Sequence, residues 1–91
     1  MNKAESMRKV LADWHRDRVS RSGLPSLYTY AEMLEGTGIS AATEMKRRDR
    51  ELRTEHDWDM LCYRDTERSL ELFGRTLTKD EHLIVAVGST P

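Results

Sequence analysis

The spacing of apolar residues in the first part of the chain predicts an amphipathic helix over about residues 4–21. The apolar positions recur at intervals of three and four, and they are Met7, Val10, Leu11 and Trp14. Charged residues occupy most of the positions between them. The run Ser22-Gly23-Leu24-Pro25 ends this helix, because glycine suits the residue after a helix and proline cannot continue one.

Two further helices follow, separated by a short segment that contains glycine. Thr29 with Glu32 three residues later has the pattern of a capping box and predicts a helix over residues 29–35. Gly36-Thr37-Gly38 stops it, and Ser40 is the expected N-cap of a third helix over residues 40–55. This third helix is poor in apolar residues, and its expected buried face consists of Ala41, Ala42, Met45 and Leu52.

After residue 57 the pattern becomes strand-like. Trp58, Met60 and Cys62 alternate with Asp59, Leu61 and Tyr63, a pattern that is typical of a strand. Leu83–Val87 is the clearest strand in the sequence. Residues 65–68 are a turn candidate, while the segment 70–74 fits either a short return strand or a helical turn. The tail from Gly88 to Pro91 is expected to be loose. The pattern predicts a mainly α chain with a small antiparallel sheet, an α+β fold.

Length and composition favour one domain over residues 1–91. With 37% apolar and 34% charged residues, the chain has the composition of a soluble domain with few apolar residues for its core. Its length is near the lower limit for a core that is stable by itself. Such domains often pair with another chain, so a homodimer remains open. Cys62 is the single cysteine, which excludes an internal disulfide and a cysteine-based metal site. The three histidines lack zinc-helix spacing, so we expect exposed or capping histidines, no metal and no cofactor.

The sequence also argues against membrane insertion and catalysis. The first eight residues are polar, no long apolar run follows them, and no stretch approaches the roughly 20 apolar residues of a membrane span. We therefore expect a cytoplasmic protein. No nucleophile stands near a base in the sequence pattern, and no pair of carboxylates suggests a cleft, so we expect a protein that is not an enzyme.

Two runs of residues resemble a known family. The run Tyr30-Ala31-Glu32-Met33-Leu34-Glu35-Gly36-Thr37-Gly38-Ile39-Ser40 is similar to the helix-turn-helix core of bacterial winged helix domains. Lys46-Arg47-Arg48-Asp49-Arg50-Glu51-Leu52-Arg53, followed by Asp57-Trp58-Asp59-Met60, resembles the Arg-Arg-x-Arg-Glu-Leu-Arg and glycine-Trp segment of the same domains. These domains occur in bacterial and phage regulators and attached to some restriction endonucleases. The resemblance covers about residues 28–64 and a terminal strand at 83–87.

The resemblance implies a winged helix: three helices followed by a wing of two or three strands at about residues 57–87. In such a fold the third helix enters the major groove of DNA while the second braces it. The chain departs from the family pattern in two places. Asp49 stands where the family usually has an aliphatic residue, and the interval from Gly38 to Met45 is about one residue longer than usual.

The charge distribution agrees with a DNA-binding protein although the net charge is −1. Residues 46–53 contain five basic and two acidic side chains, as do residues 8–21, whereas residues 55–82 contain four basic and eight acidic ones. DNA affinity depends on the phosphates that Lys and Arg neutralise locally. The alternative is that residues 46–53 form a solvent-exposed helix face that binds nothing.

On the DNA hypothesis, the start of the third helix approaches base edges, and its neighbours contact the backbone. A small transcriptional regulator binding double-stranded DNA is therefore the expected function, alone, as a homodimer or with a protein partner. Tyr28 and Thr29 would contact phosphate, and Arg68 at the hairpin tip would reach the minor groove or backbone. The residues expected on the third helix are Ser40, Ala41, Ala42, Thr43, Lys46, Arg47 and Arg50.

A second class of function remains open. In a protein-binding winged helix, the acidic C-terminal half would dock on a basic surface of a partner. A phage-encoded inhibitor or an accessory subunit of a nucleic-acid-processing complex would fit this pattern. The fold does not separate the two, because winged helices serve both roles.

Overall fold

Four helices and one three-stranded antiparallel sheet make up residues 2–89, the part of the chain that the computed structural model describes. The architecture is α+β, as expected. None of the helices within this range is long and apolar enough to cross a membrane. In chain order the elements are α1 (Lys3–Ser22), β1 (Ser26–Thr29), α2 (Tyr30–Thr37), α3 (Ala42–Glu55), β2 (Asp59–Leu61), α4 (Thr66–Phe73) and β3 (Glu81–Ala86).

α1 confirms the first predicted helix and its stop signal. It ends at Ser22, and Gly23 follows with a φ of 79°, a backbone conformation that glycine tolerates best. Its buried face is shifted from the predicted stripe, because Leu11, Ala12 and His15 are buried while Val10 is 45% exposed. The expectation that His15 is exposed or capping is therefore wrong.

α2 and α3 are both present, but only α2 has the predicted cap. The backbone N–H of Glu32 donates to Oγ1 of Thr29 (3.1 Å), and the N–H of Thr29 donates to Oε1 of Glu32 (3.1 Å), which confirms the capping box. α3 starts at Ala42 with Ala41 as its N-cap and no side-chain cap bond, so Ser40 as the N-cap is wrong. The N–H of Ala42 bonds instead to the carbonyl of Ser40, which lies one residue before the cap.

The buried face of α3 also differs from the prediction. Met45 and Leu52 are buried as expected, but the third buried residue is Asp49, while Ala41 is exposed and Ala42 half-buried. Asp49 has hydrogen-bond partners in the core, which is what permits a carboxylate in this position. At this position a polar residue therefore anchors α3 in the core.

Two elements were not predicted as such. β1 covers four residues between the stop signal of the first helix and the start of the second, where the sequence pattern predicts no strand, and it forms by pairing with β3, from Ser26 opposite Ile84 to Thr29 opposite Glu81. α4 occupies the expected turn and return strand, so the helical alternative for residues 70–74 is the correct one. The fold therefore contains four helices within residues 2–89, not three.

β3 is the central strand, because the sheet order is β1-β3-β2. One face of the sheet packs on the helices through Tyr28, Met60 and Ile84, together with Leu11, Met45, Leu52 and Trp58. The other face carries a smaller cluster of Leu61, Leu77 and Leu83, against which Phe73 of α4 packs. Both faces are thus covered, which explains why Met60 and Leu61 are both buried instead of alternating.

The segment after β3 is attached to the core up to Ser89, so the expectation of a loose tail is wrong for Gly88 and Ser89. The N–H of Ser89 donates to the carbonyl of His56 (2.8 Å), and Nε1 of Trp58 donates to the carbonyl of Ser89 (3.2 Å). A side chain at Gly88 would overlap the backbone at His56, so this close approach requires glycine. Thr90 and Pro91 lie outside the described residues.

Candidate nucleic-acid interface

A buried polar cluster fixes how α3 is turned. Asp49 is 1% exposed; its Oδ2 accepts a hydrogen bond from the hydroxyl of Tyr28 (2.5 Å), and its Oδ1 lies 2.7 Å from Nε2 of His15. Burial and then the charge of Asp49 raise the pKa of Tyr28 well above its usual value, so the hydroxyl stays protonated and donates. The cluster ties α3 to both α1 and β1.

One side of α3 is bonded to α1. Nη1 of Arg8 lies 2.6 Å from Oε1 of Glu51, and the same carboxylate accepts two hydrogen bonds from Nη1 of Arg48, at 2.9 and 3.0 Å. These arginines lower the pKa of Glu51 despite its partial burial. Met45, Asp49 and Leu52 lie in the core, Glu51 is bonded to α1, and Arg48 is bonded to Glu51, so the remaining side of α3 faces solvent. It carries Thr43, Lys46, Arg47, Arg50 and Arg53, all of them exposed.

The basic side chains divide into two groups by their partners. Those on α1 between residues 8 and 21, as well as Arg48, Arg68 and Arg75, lie within 4.0 Å of a carboxylate. Apart from Lys3, the basic residues without an ion pair inside the described chain are Lys46, Arg47, Arg50, Arg53, Arg64 and Lys79. The unpaired group is therefore concentrated on the exposed side of α3 and on the loops beside it.

A cavity of about 300 Å³ opens beside α3. Arg50 and Arg53 contribute to it from α3, Arg64 from the loop after β2, and Lys79 from the loop before β3. The rest of the wall is aromatic or apolar, apart from Asp49, and comprises Tyr28, Tyr30, Met60, Leu61, Cys62, Tyr63 and His82. We call this space the α3 cavity.

Burial keeps Tyr30 and His82 of the α3 cavity uncharged at neutral pH. Burial is the main cause that raises the pKa of Tyr30 to about 12, and burial also lowers the pKa of His82 below its usual value. The ring of His82 contacts both tyrosines: it is stacked with Tyr28 at a centroid distance of 5.4 Å and tilted against Tyr30 at 4.2 Å. The positive charge at the cavity therefore comes from its guanidinium and ammonium groups.

The structure distributes the sequence-predicted contact residues unevenly. Thr29 is occupied in capping α2, although it lines a second cavity together with Lys46. Tyr28 is 1% exposed with its hydroxyl on Asp49, and Arg68 on α4 donates two hydrogen bonds to Asp59, each 2.8 Å long. The residues that come together at the start and exposed side of α3 are Ser40, Ala41, Ala42, Thr43, Lys46, Arg47 and Arg50.

Three basic residues that the sequence did not indicate belong to this region. Arg53 follows Arg50 by three positions on α3, and this helical spacing is a signal that could have identified it. Arg64 and Lys79 carry no such signal. They are brought beside α3 by the pairing of β2 with β3, which sequence spacing does not reveal.

Neither a metal cluster nor a known protein adds to this picture. Within residues 2–89, no group of three or more His, Cys, Asp or Glu side chains is placed to hold a metal ion. No family model, no curated protein and no solved structure matches the chain. What the protein binds has to be inferred from its own charges and cavities.

Proposed function

We propose that this protein binds double-stranded DNA through the exposed side of α3, as a winged helix domain with an extra helix in its wing. The observation that carries the proposal is the concentration of unpaired basic residues on that side. Phosphate binding requires cations that are not already neutralised, and local cations outweigh a net charge of −1. As a small cytoplasmic regulator, the protein would act by occupying its DNA site.

The order of elements supports the winged helix part of the proposal. The first three helices precede β2 and β3, as the resemblance implies, and α4 lies in the segment expected to be the wing. A short connection through Gly38, which has a left-handed φ of 72°, joins α2 to α3. In a helix-turn-helix, such a turn lets the second helix project into the major groove.

The side chains along α3 suit a groove contact. Ala41 and Ala42 are small and permit close approach, and the hydroxyl of Thr43 can contact a phosphate or a base. One turn later, the guanidinium of Arg47 can bind guanine with two hydrogen bonds. Lys46 and Arg50 flank it and would neutralise phosphates. Tyr28 and Arg68 are left out of the proposed interface because their polar atoms already have partners.

Selection from a random duplex DNA pool tests the proposal. We expect one motif to be enriched, with affinity falling steeply between about 50 and 200 mM salt. Arg47→Gln should weaken binding by about tenfold or more and relax the preference at one base pair. Arg50→Gln should weaken all sequences alike and reduce the salt slope by about one.

Two paired arginines provide matched controls. Arg21 is bonded to Asp17 at the end of α1 and Arg68 to Asp59, so Arg21→Gln and Arg68→Gln should leave DNA affinity within about twofold of the parent. A folded protein that binds no DNA at low salt contradicts the proposal. So does a loss for Arg21→Gln as large as that for Arg47→Gln.

A specific observation on α4 favours the protein-binding alternative. Leu70 and Leu72 are 54% and 40% exposed, and Glu67 and Glu71 lie beside them without ion pairs in the described chain. An acidic helix with exposed leucines is a surface that a basic partner would cover. Two results together would favour this function. The protein shows no affinity for DNA, and it is retained on immobilised polylysine unless Glu67→Gln and Glu71→Gln are introduced together.

A further inference from the structure

The α3 cavity is, we propose, a binding site for a small ligand in which a phosphate group is joined to a flat ring, such as a nucleoside 5′-monophosphate. This site goes beyond DNA binding, since most of the cavity lies off the exposed side of α3. The inference rests on three features of the cavity: its charge, its rings and its volume.

The charge of the cavity selects an anion. Arg50, Arg53, Arg64 and Lys79 reach it from three separate segments, and none of them has a carboxylate within 4.0 Å in the part of the chain that is described. Asp49 is the one acidic side chain in the wall, and each of its oxygens already has a partner, Tyr28 or His15. Four cations favour a phosphate, which carries up to two negative charges, over a single carboxylate.

The rings and apolar side chains suit a flat group attached to that phosphate. Tyr30 and Tyr63 line the cavity together with Met60 and Leu61, so a planar ring can stack on an aromatic face and cover apolar surface. The guanidinium of Arg64 lies over the ring of Tyr63, 5.4 Å from the ring centre, and its Nε donates to the Tyr63 hydroxyl (3.2 Å), so a flat group can stack on this cation–ring pair. The volume of about 300 Å³ is at the lower end for ligand sites, which favours a mononucleotide-sized molecule.

Arg50 connects this site with the proposed DNA interface. It lies on the exposed side of α3 and also lines the α3 cavity. A phosphate held by Arg50 removes one cation from the DNA contact, so the ligand should lower DNA affinity. This consequence rests on the proposed function, whereas ligand binding itself does not.

Titration calorimetry of the full chain with the four nucleoside 5′-monophosphates tests the site. At least one should bind, and the matching nucleoside and inorganic phosphate should each bind at least about tenfold more weakly, because each lacks half of the recognised chemistry. Comparing a single-stranded oligonucleotide with and without a 5′-phosphate shows whether the bound phosphate can belong to the end of a strand or only to a free nucleotide. Equal binding of inorganic phosphate and nucleotide, or no binding of any of the four nucleotides, overturns the inference.

Substitutions locate the site and separate it from DNA binding. Arg53→Gln and Arg64→Gln should each weaken nucleotide binding by about tenfold, whereas Arg21→Gln, at a residue that does not line the cavity, should not change it. Thermal unfolding of each variant checks that the fold is kept. DNA selection without nucleotide binding overturns this inference and leaves the proposed function standing. If these substitutions weaken nucleotide binding but the protein has no affinity for DNA, this inference stands and the proposed function is overturned.

Discussion

Asp49 has one side-chain oxygen against His15 of α1 and the other against Tyr28 of β1. A buried carboxylate is costly to desolvate, and it is tolerated when its oxygens are hydrogen-bonded. Removing it leaves two buried polar groups without partners, which costs more than the loss of the bonds themselves. The stability of the core therefore depends on this residue as much as on any apolar side chain.

Asp49→Ala should lower the free energy of unfolding by about 3–5 kcal/mol, because it leaves His15 and Tyr28 buried and unpaired. Urea denaturation followed by circular dichroism measures the change. Asp13→Ala is the matched control, since Asp13 is exposed and pairs with Lys9 on the surface of α1. A loss for Asp49→Ala no larger than that for Asp13→Ala would show that the cluster is not structurally important.

Glu81 at the start of β3 gives the fold an acid-sensitive step. Two hydrogen bonds from Arg75 (2.7 and 2.8 Å) and one from the N–H of Thr78 (2.8 Å) lower its pKa from 4.5 to about 2. The unfolded chain therefore takes up this proton first as the pH falls. The stabilisation is complete above pH 4.5 and is lost as the pH falls towards 2.

Glu81→Gln should flatten the decline in thermal stability between pH 4.5 and 2, relative to the parent protein. Melting temperatures across that range measure the effect. Glu71→Gln is the comparison, because Glu71 lies on α4 without an ion pair among the described residues. If both variants show the same acid dependence as the parent, the Arg75–Glu81 pair does not carry it.

At the scale of elements, local signals identified those that depend on local interactions. The capping residues Thr29 and Glu32 and the stop at Gly23 are readable because each acts within three or four positions. β1 exists through its bonds to β3, more than fifty positions away, and a four-residue strand is too short for a clear alternation. α4 was ambiguous because its eight residues fit a turn, a strand or a helix.

Thr29 and Ser40, the two residues that the sequence predicts as N-caps, provide an element-scale test. Thr29→Ala should lower the free energy of unfolding by about 1 kcal/mol, since Oγ1 of Thr29 satisfies a backbone N–H at the start of α2. Ser40→Ala should change it by less than about 0.5 kcal/mol, because Ser40 does not cap α3. Chemical denaturation of both variants measures this. Equal losses would mean that Ser40 caps α3 after all.

At the scale of the whole molecule, a net charge of −1 conceals a separation of charge. Apart from Lys3, the cations without an ion pair among residues 2–89 lie on α3 and beside the α3 cavity, whereas Glu67 and Glu71, which also lack ion pairs there, lie on α4. Bulk composition could not reveal this, because pairing depends on the fold. The sequence identified the basic run at 46–53, but not that Arg48 is bound to Glu51 while Arg47 has no ion pair with any residue that the structure describes.

Heparin chromatography should detect the separated charge directly. We expect the protein to be retained at pH 7.5 in low salt despite its net negative charge, because a polyanion contacts one face at a time. Arg47→Gln with Arg50→Gln should elute at clearly lower salt than Arg21→Gln with Arg68→Gln, a pair that removes equal charge. Identical elution of the two double variants would contradict a cationic face on α3.

β3 lies between β1 and β2, so both other strands depend on residues 81–86 for their pairing. While a ribosome is still translating the segments before residue 81, Tyr28 and Met60 have no Ile84 to pack against and the sheet does not exist. The nascent chain then offers apolar surface to chaperones and proteases until the codons of the last strand are read. Translation that halts before those codons would yield a degradable fragment instead of a shortened domain.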